Sequence, residues 1–420
     1  MTLLIHDAIS SASDVPEPII PKRRGVALAL LTLGFGLVGL DRFMILPMFP
    51  VIAGRLHLDY QDIGLITGAL SISWGLASIF IGNLADLFGP RRVAVVSLVG
   101  FSLVVGISGL AAGLVSLVLL RAIVGLLEGA FAPAALVANY ETSAPAHIGR
   151  NVGIMQAAMP FFGLALAPLI VTHLLSFIDW RYVFILLSVP GLCVAWLLWK
   201  VLGKASDLTA DRILHADESS FSRWREALAI SNVRITSLCI CCWIACLVVI
   251  SALLPSYMTD YLHLSIIQMG GVLSAIGFGA TLGGLIMPTL SDNFGRKPVA
   301  LADALGTIVF LVYFITCGAE TMKLFVALFG AAFFLYNLLG MTLSTMTAES
   351  VPEHVRTTAA GLVSGIGELF GAGIVPIIAG HILKIYGISY VPEIGIVAML
   401  VGTITLMFYR ETHRRTGLAA

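Results

Sequence analysis

Gly82-Asn83-Leu84-Ala85-Asp86-Leu87-Phe88-Gly89-Pro90-Arg91-Arg92 is a polar turn between two apolar runs, and a related turn, Ser291-Asp292-Asn293-Phe294-Gly295-Arg296-Lys297, returns in the second half of the chain. Asp86 and Asp292, Gly89 and Gly295, and His57 and His263 are each 206 residues apart. Glu141 and Glu349, Gly153 and Gly361, Gly163 and Gly371, and Pro168 and Pro376 are each 208 apart. So steady an offset marks an internal duplication. Each turn holds an acid and bases at the edge of apolar segments, where they can pair with neighbouring helix ends and favour one conformation. Gly82, Asp86, Gly89, Arg91, Arg92, Asp292, Gly295, Arg296 and Lys297 are therefore the candidate gating residues.

The flanking runs decide the fold class. Of 420 residues, 58% are hydrophobic and 11% charged, the mean hydropathy is +0.98, and 24 basic residues balance 24 acidic ones. A soluble domain carries roughly 25% charged residues, so a water-soluble enzyme is excluded. The zero net charge gives no polyanion-binding excess, which excludes nucleic acid as a partner, and six cysteines do not make a disulfide scaffold. A bilayer-spanning helix needs about 20 mostly apolar residues. Twelve segments qualify, near 25–54, 62–84, 93–112, 114–139, 151–175, 181–200, 233–257, 266–290, 298–318, 322–347, 358–380 and 388–409. Runs such as Leu28-Ala29-Leu30-Leu31 do not alternate, so a β-barrel is excluded.

The sequence thus predicts an all-α integral membrane protein of 12 transmembrane helices in two six-helix, pseudo-symmetric bundles. The boundaries expected are a tail over 1–24, a first bundle over 25–200, a linker over 201–232, a second bundle over 233–409 and a tail over 410–420. Residues 1–20 contain Pro16 and Pro18 and no apolar core, so they do not read as a signal peptide. Phe221-Ser222-Arg223-Trp224-Arg225 reads as a short helix at the lipid interface. With the amino end inside, eighteen of the 24 Lys and Arg fall on inner loops and tails and four on outer loops. This predicts cytoplasmic termini, and compact loops suit a bacterial inner membrane. Parallel repeats with a site between them near mid-membrane are the architecture of transporters, and two halves in one chain suffice for a monomer.

Ionisable residues within spans are functional candidates, because each must be paired or face water. Asp41 and Arg42 fall in the first span, Arg121 and Glu128 in the fourth and Glu368 in the eleventh. Arg121 and Glu128, two turns and about 10 Å apart, share a helix face with Gly125 between them. An anion that engages Arg121 would release Glu128 to take a proton, a route to coupling. Gln156 and Asn337 are the other polar positions expected at the cavity, with helix–helix hydrogen bonding as the alternative for them and for Asn139 and His173. Structural alternatives also stand for the charges: a buried ion pair at Asp41 and Arg42, a simple Arg121 partner at Glu128, and a protonated hydrogen-bonding Glu368. Cys239, Cys241, Cys242 and Cys246 lie within one span and read as packing residues. Cys239 and Cys242 make a C-x-x-C with no second pair or His cluster, and no nucleotide motif occurs, so no cofactor and no metal are expected and an ion gradient is the expected energy source.

From Gly25 to Arg410 the chain resembles the major facilitator superfamily, through the paired Asp/Gly/basic loops. Arg121-x-x-x-Gly125-x-x-Glu128-Gly129 followed by Pro133, with Asp41-Arg42, resembles its anion:cation symporter branch, which includes sugar-acid and organic-anion carriers. The resemblance implies that Asp41 and Glu128 bind protons and that Arg42 and Arg121 contact the substrate carboxylate, a task suited to the bidentate guanidinium. The chain departs from that branch at Phe43-Met44-Ile45, where Asn is usual, at Trp74-Gly75, where an aromatic hydroxyl is expected, and at Glu368, where Asn is common. The added carboxylate could supply a proton site or select a substrate with a positive or hydroxyl-rich end. The expected function is therefore proton-coupled symport of a small organic anion, a carboxylate or sugar acid. The alternatives are a drug:proton antiporter, weakened by Ala167 where Gly precedes the Pro of that subgroup, and a non-transporting ligand sensor.

Overall fold

The computed structural model describes residues 24–80, 88–202 and 220–412, without the side chains of 79–80, 202 and 220–222. Gly82 and Asp86, the tail before residue 24, most of the linker and residues beyond 412 lie outside the described residues.

Among the described residues, twelve long helices follow in order. Spans 1 to 6 are Arg24–Leu56, Tyr60–Phe80, Pro90–Ser108, Leu114–Thr142, Pro145–Leu174 and Trp180–Leu202. Spans 7 to 12 are Ser231–Tyr261, Ile266–Ile286, Arg296–Thr316, Thr321–Glu349, Glu353–Tyr386 and Ile388–Met407. Ser220–Ala229 forms a separate short helix, longer than the interfacial segment expected there. In a hydrocarbon environment only a helix satisfies every backbone group within itself, which is why these apolar runs are helical despite internal Pro50, Pro133, Pro190 and Pro255.

The duplication is visible in the packing. Span 4 packs on spans 2 and 3, span 3 on 6, and span 1 on 5 and 6; span 10 packs on spans 8 and 9, span 9 on 12, and span 7 on 11 and 12. His57 and His263 both adopt φ 56°, the left-handed conformation, and Gly89 and Gly295 adopt φ 83° and 96°. Spans 5 and 11 both widen into π-helix, over Phe161–Leu166 and Gly367–Ile374. Pro168 and Pro376, which have no N–H to give to Leu164 and Ala372, follow these widened turns.

The halves meet through span 2 against span 11 and span 5 against span 8. At two matched places the helices approach so closely that only glycine fits. A Cβ on Gly64 would fall on the carbonyl of Pro376, and one on Gly270 would fall on Thr172 and the carbonyl of Pro168. Gly64 and Gly270 are 206 residues apart and their proline partners 208, so one contact is the copy of the other. Both lie toward the face away from the helix ends that carry the chain termini, called here the far face. Lys384 pairs with Asp59 at 2.6 Å and Tyr60 donates to Asp260 at 2.9 Å on that face.

Candidate functional site

Span 1 is broken where its charges sit. It runs as helix from Arg24 to Phe43 and again from Ile45 to Leu56, bending at Met44. Pro47 cannot donate to the carbonyl of Phe43, so the ladder is interrupted just after Asp41 and Arg42. Arg42, 8% exposed, reaches across the interface and pairs with Glu368 of span 11 at 2.6 Å. It also donates to the Ser71 hydroxyl at 3.3 Å and lies over the Trp74 ring, 4.8 Å from its centroid. Trp74, standing where the resemblance led one to expect an aromatic hydroxyl, is thus a platform for the guanidinium.

Arg121 is fully buried. It donates to the backbone carbonyl of Asp41 at 3.0 Å and to the Ser108 hydroxyl at 3.1 Å, and it lies 5.5 Å from the Phe184 ring centroid. Gly125, expected to leave room for a ligand or a helix, is filled by a helix: span 2 approaches there with the Leu70 carbonyl. Glu128 is fully buried, and neither of its carboxylate oxygens has a hydrogen-bond partner in the structure; Asp41 Oδ1 is in the same condition. The charges of Asp41, Arg42, Arg121 and Glu368 all act on Glu128. Five intramembrane charges from spans 1, 4 and 11 therefore form one electrostatic cluster between the bundles. A cavity of about 20 Å³, room for roughly one water, is lined by Arg42, Ser71, Thr67, Arg121 and Val248 among others.

The structure brings Asp41, Arg42, Arg121, Glu128 and Glu368 together and turns Asn337 away from them. Asn337 is turned into the second bundle, where it donates to Asp303 at 2.6 Å, and Gln156 is exposed on the half of span 5 nearer the termini. Asn337 thus takes its helix–helix alternative, for a reason the sequence reading passed over: Asp303 is itself a fully buried acid in span 9. Its signal was available, a lone Asp inside an apolar run. Tyr336 was also missed. It stands 208 residues after Glu128, at the matching place in the repeat, in span 10. Val248, 206 residues after Arg42, is its uncharged counterpart. The cations of the site thus come from the first bundle only.

Asn139 donates to Met155 Sδ of span 5 and accepts from Ser143 at the end of its own helix, and the span 7 cysteines are free thiols packed within the helix bundle. In the paired loops, Arg91 pairs with Glu141 at 3.8 Å, and Arg296 pairs with Glu349 at 2.8 Å and Asp292 at 2.6 Å. Glu141 and Glu349 are repeat mates, so both loops grip the end of the fourth helix of their own half. Lys297 donates to the Met407 carbonyl at 2.7 Å, capping the end of span 12, while Arg92 is exposed.

Comparison with known proteins bears on this arrangement. The family model described as Major Facilitator Superfamily matches residues 31–372 and 236–419. The sialic acid transporter of Escherichia coli (strain K12) is 25% identical over 381 residues, covering 88% of this chain and 89% of that one. The cis,cis-muconate transport protein of Acinetobacter baylyi is 24% identical over 397 residues, covering 89% and 91%. Among solved structures, the inward-facing, unoccupied form of a bacterial homologue of the human lysosomal transporter Spinster superposes with a TM-score of 0.70 at 19% identity, covering 92% of this chain and 95% of that one.

Proposed function

This chain belongs to the major facilitator superfamily and is a multi-pass membrane transporter, and on that premise we propose that it carries a small organic anion together with protons. Arg42 and Arg121 receive the carboxylate; Asp41, Glu128 and Glu368 hold the protons. The two bundles rock about the site to give alternating access, the paired loops at Gly89 and Gly295 set the balance between conformations, and the working unit is a monomer. The transporter sits in a bacterial inner membrane with both termini in the cytoplasm, a reading supported by the distribution of Lys and Arg.

The observation that carries the proposal is the composition of the central cluster. Two arginines and three carboxylates meet between the halves, and Glu128 is buried with both oxygens unpartnered. A carboxylate so placed in a low-dielectric interior is a group that exchanges a proton rather than one that anchors a helix. The sialic acid and muconate carriers named above are both, by name, carriers of acids, which supports an anionic cargo here.

Reconstitution into vesicles with an imposed pH gradient tests this. The wild type is expected to accumulate a labelled carboxylate from a panel of sugar acids and dicarboxylates. Glu128→Gln should keep substrate exchange at equal concentrations and lose accumulation. Accumulation that survives in Glu128→Gln removes this residue from coupling. Proton release on adding lipophilic cations would instead identify an antiporter.

A further inference from the structure

Glu368 stands at the centre of the interface in a role that the proton-site reading alone does not explain. It is the carboxylate that Arg42 holds, at 2.6 Å, and the pair joins span 1 of one bundle to span 11 of the other. Neither Asp41 nor Glu128 bonds a guanidinium through its side chain among the described residues; Arg121 is occupied by a backbone carbonyl and a hydroxyl. The cavity beside Arg42, about 20 Å³, cannot take a second carboxylate while Glu368 is in place.

We infer that Glu368 is a built-in competitor for the substrate. Its carboxylate occupies the guanidinium that the anion needs, and an arriving anion must displace it. This rests on the organic-anion reading above and adds to it the identity of the group exchanged. Displacement has a chemical consequence. The groups acting around Glu368 are Arg42 from span 1, Glu128 from span 4 and Tyr336 from span 10. Span 2 presents Gly75 against it, and span 7 packs Ile240 and Ile244 against the adjoining Gly367. Once Arg42 has turned to the substrate, no other cation in that set is left to hold a bare carboxylate within the membrane, so Glu368 must take a proton. The exchange balances: substrate carboxylate plus one proton enter, the Arg42–Glu368 ion pair becomes an Arg42–substrate ion pair and a neutral Glu368, and the charge of the site is unchanged. Binding the anion and binding one proton are then a single event at this residue, separate from those at Asp41 and Glu128. Glu368 is carried on the π-helical stretch Gly367–Ile374, the kind of widened turn often found at functional sites.

The test uses purified full-length protein and three probes, sialic acid, gluconate and cis,cis-muconate. Titration calorimetry in two buffers of different ionisation enthalpy yields affinity and protons taken up together. Glu368→Gln keeps the shape and removes the competitor, so it should bind the anion roughly tenfold or more tightly than the wild type. It should take up one proton fewer, and its slope of log Kd against pH should fall by one. Glu368→Asp, which keeps the charge but draws it back from Arg42, should bind more tightly than wild type with proton uptake unchanged, and it serves if the Gln variant does not fold. Equal or weaker binding by both variants, or undiminished proton uptake by Glu368→Gln, would overturn the inference while leaving the anion reading standing. If neither the wild type nor a folded variant binds any of the three anions, the anion reading falls and this inference with it.

Discussion

Replacing Gly64 by Ala is the sharpest perturbation of the closed far face. A Cβ there meets the carbonyl oxygen and carbon of Pro376 and the Cα of Ile377, all of them backbone. No rotamer can move aside, so spans 2 and 11 must separate. Overpacking of a close contact costs about 1–3 kcal/mol. The far-face contact is made in this conformation and lost when that face opens, so the whole penalty falls on the closed form. The equilibrium should shift toward far-face opening by about 5- to 150-fold. Spin labels at Phe177 and Met322, both 74% exposed and in opposite bundles at the far face, would report it by double electron–electron resonance, with the exposed Cys193 replaced by Ser. The expected result is a longer distance population in Gly64→Ala, with Gly270→Ala, at the repeat mate, doing the same. Gly340→Ala, where nothing lies within 4 Å, should leave the distribution unchanged. A folded Gly64→Ala protein with the wild-type distribution would refute the reasoning that this contact opposes opening.

Two further outcomes follow from other contacts. Asp303→Ala should destabilise the second bundle by about 1–3 kcal/mol, because it strands the buried Asn337 amide; combining Asp303→Leu with Asn337→Leu, which removes both polar partners, should recover most of that, measured as thermal unfolding in detergent. Asp59, in the far-face loop, is pushed up by burial but held below the usual carboxylate range overall by Lys384 and the amides of Gln61 and Asp62. Its contribution to far-face closure is therefore complete above the ordinary Asp value of about 3.9 and lost only as pH falls through its lowered one. The free energy of far-face opening, taken from the label populations, should accordingly differ between Asp59→Asn and wild type by a constant amount from pH 5 to 8, and a difference that changes within that window would contradict the assignment.

The architecture was open to reading because its determinants are local or periodic. Apolar runs of membrane length, and landmarks returning at 206 and 208 residues, need no knowledge of the third dimension. The cluster was legible as a set of residues, since charge in an apolar span has no bland default. Its wiring was not. Arg42 and Glu368 are 326 residues apart, and nothing in either neighbourhood says that they meet. Arg121 shares a face with Glu128, as helix geometry requires, yet it spends its donors on the Asp41 carbonyl and the Ser108 hydroxyl. Asn337 was placed at the cavity because its acid partner, Asp303, had been overlooked; side-chain direction within a helix is set by such partners and not by span membership. Tyr336 could have been found by carrying the repeat offset forward from Glu128.

The backbone contacts at Gly64 and Gly270 bear on leakage. A carrier driven by protons loses its driving force whenever a thread of water connects the two sides. A seal made of long side chains opens momentarily with every rotamer change. Here the carbonyls of Pro376 and Pro168 lie against bare glycine, and the cavities around the central site, of about 20 and 10 Å³, each hold roughly one water and not a file of them. Insulation thus rests on main chain at Gly64 and on main chain with the short Thr172 side chain at Gly270, and the longer side chains of the cluster are left free to exchange their partners behind it.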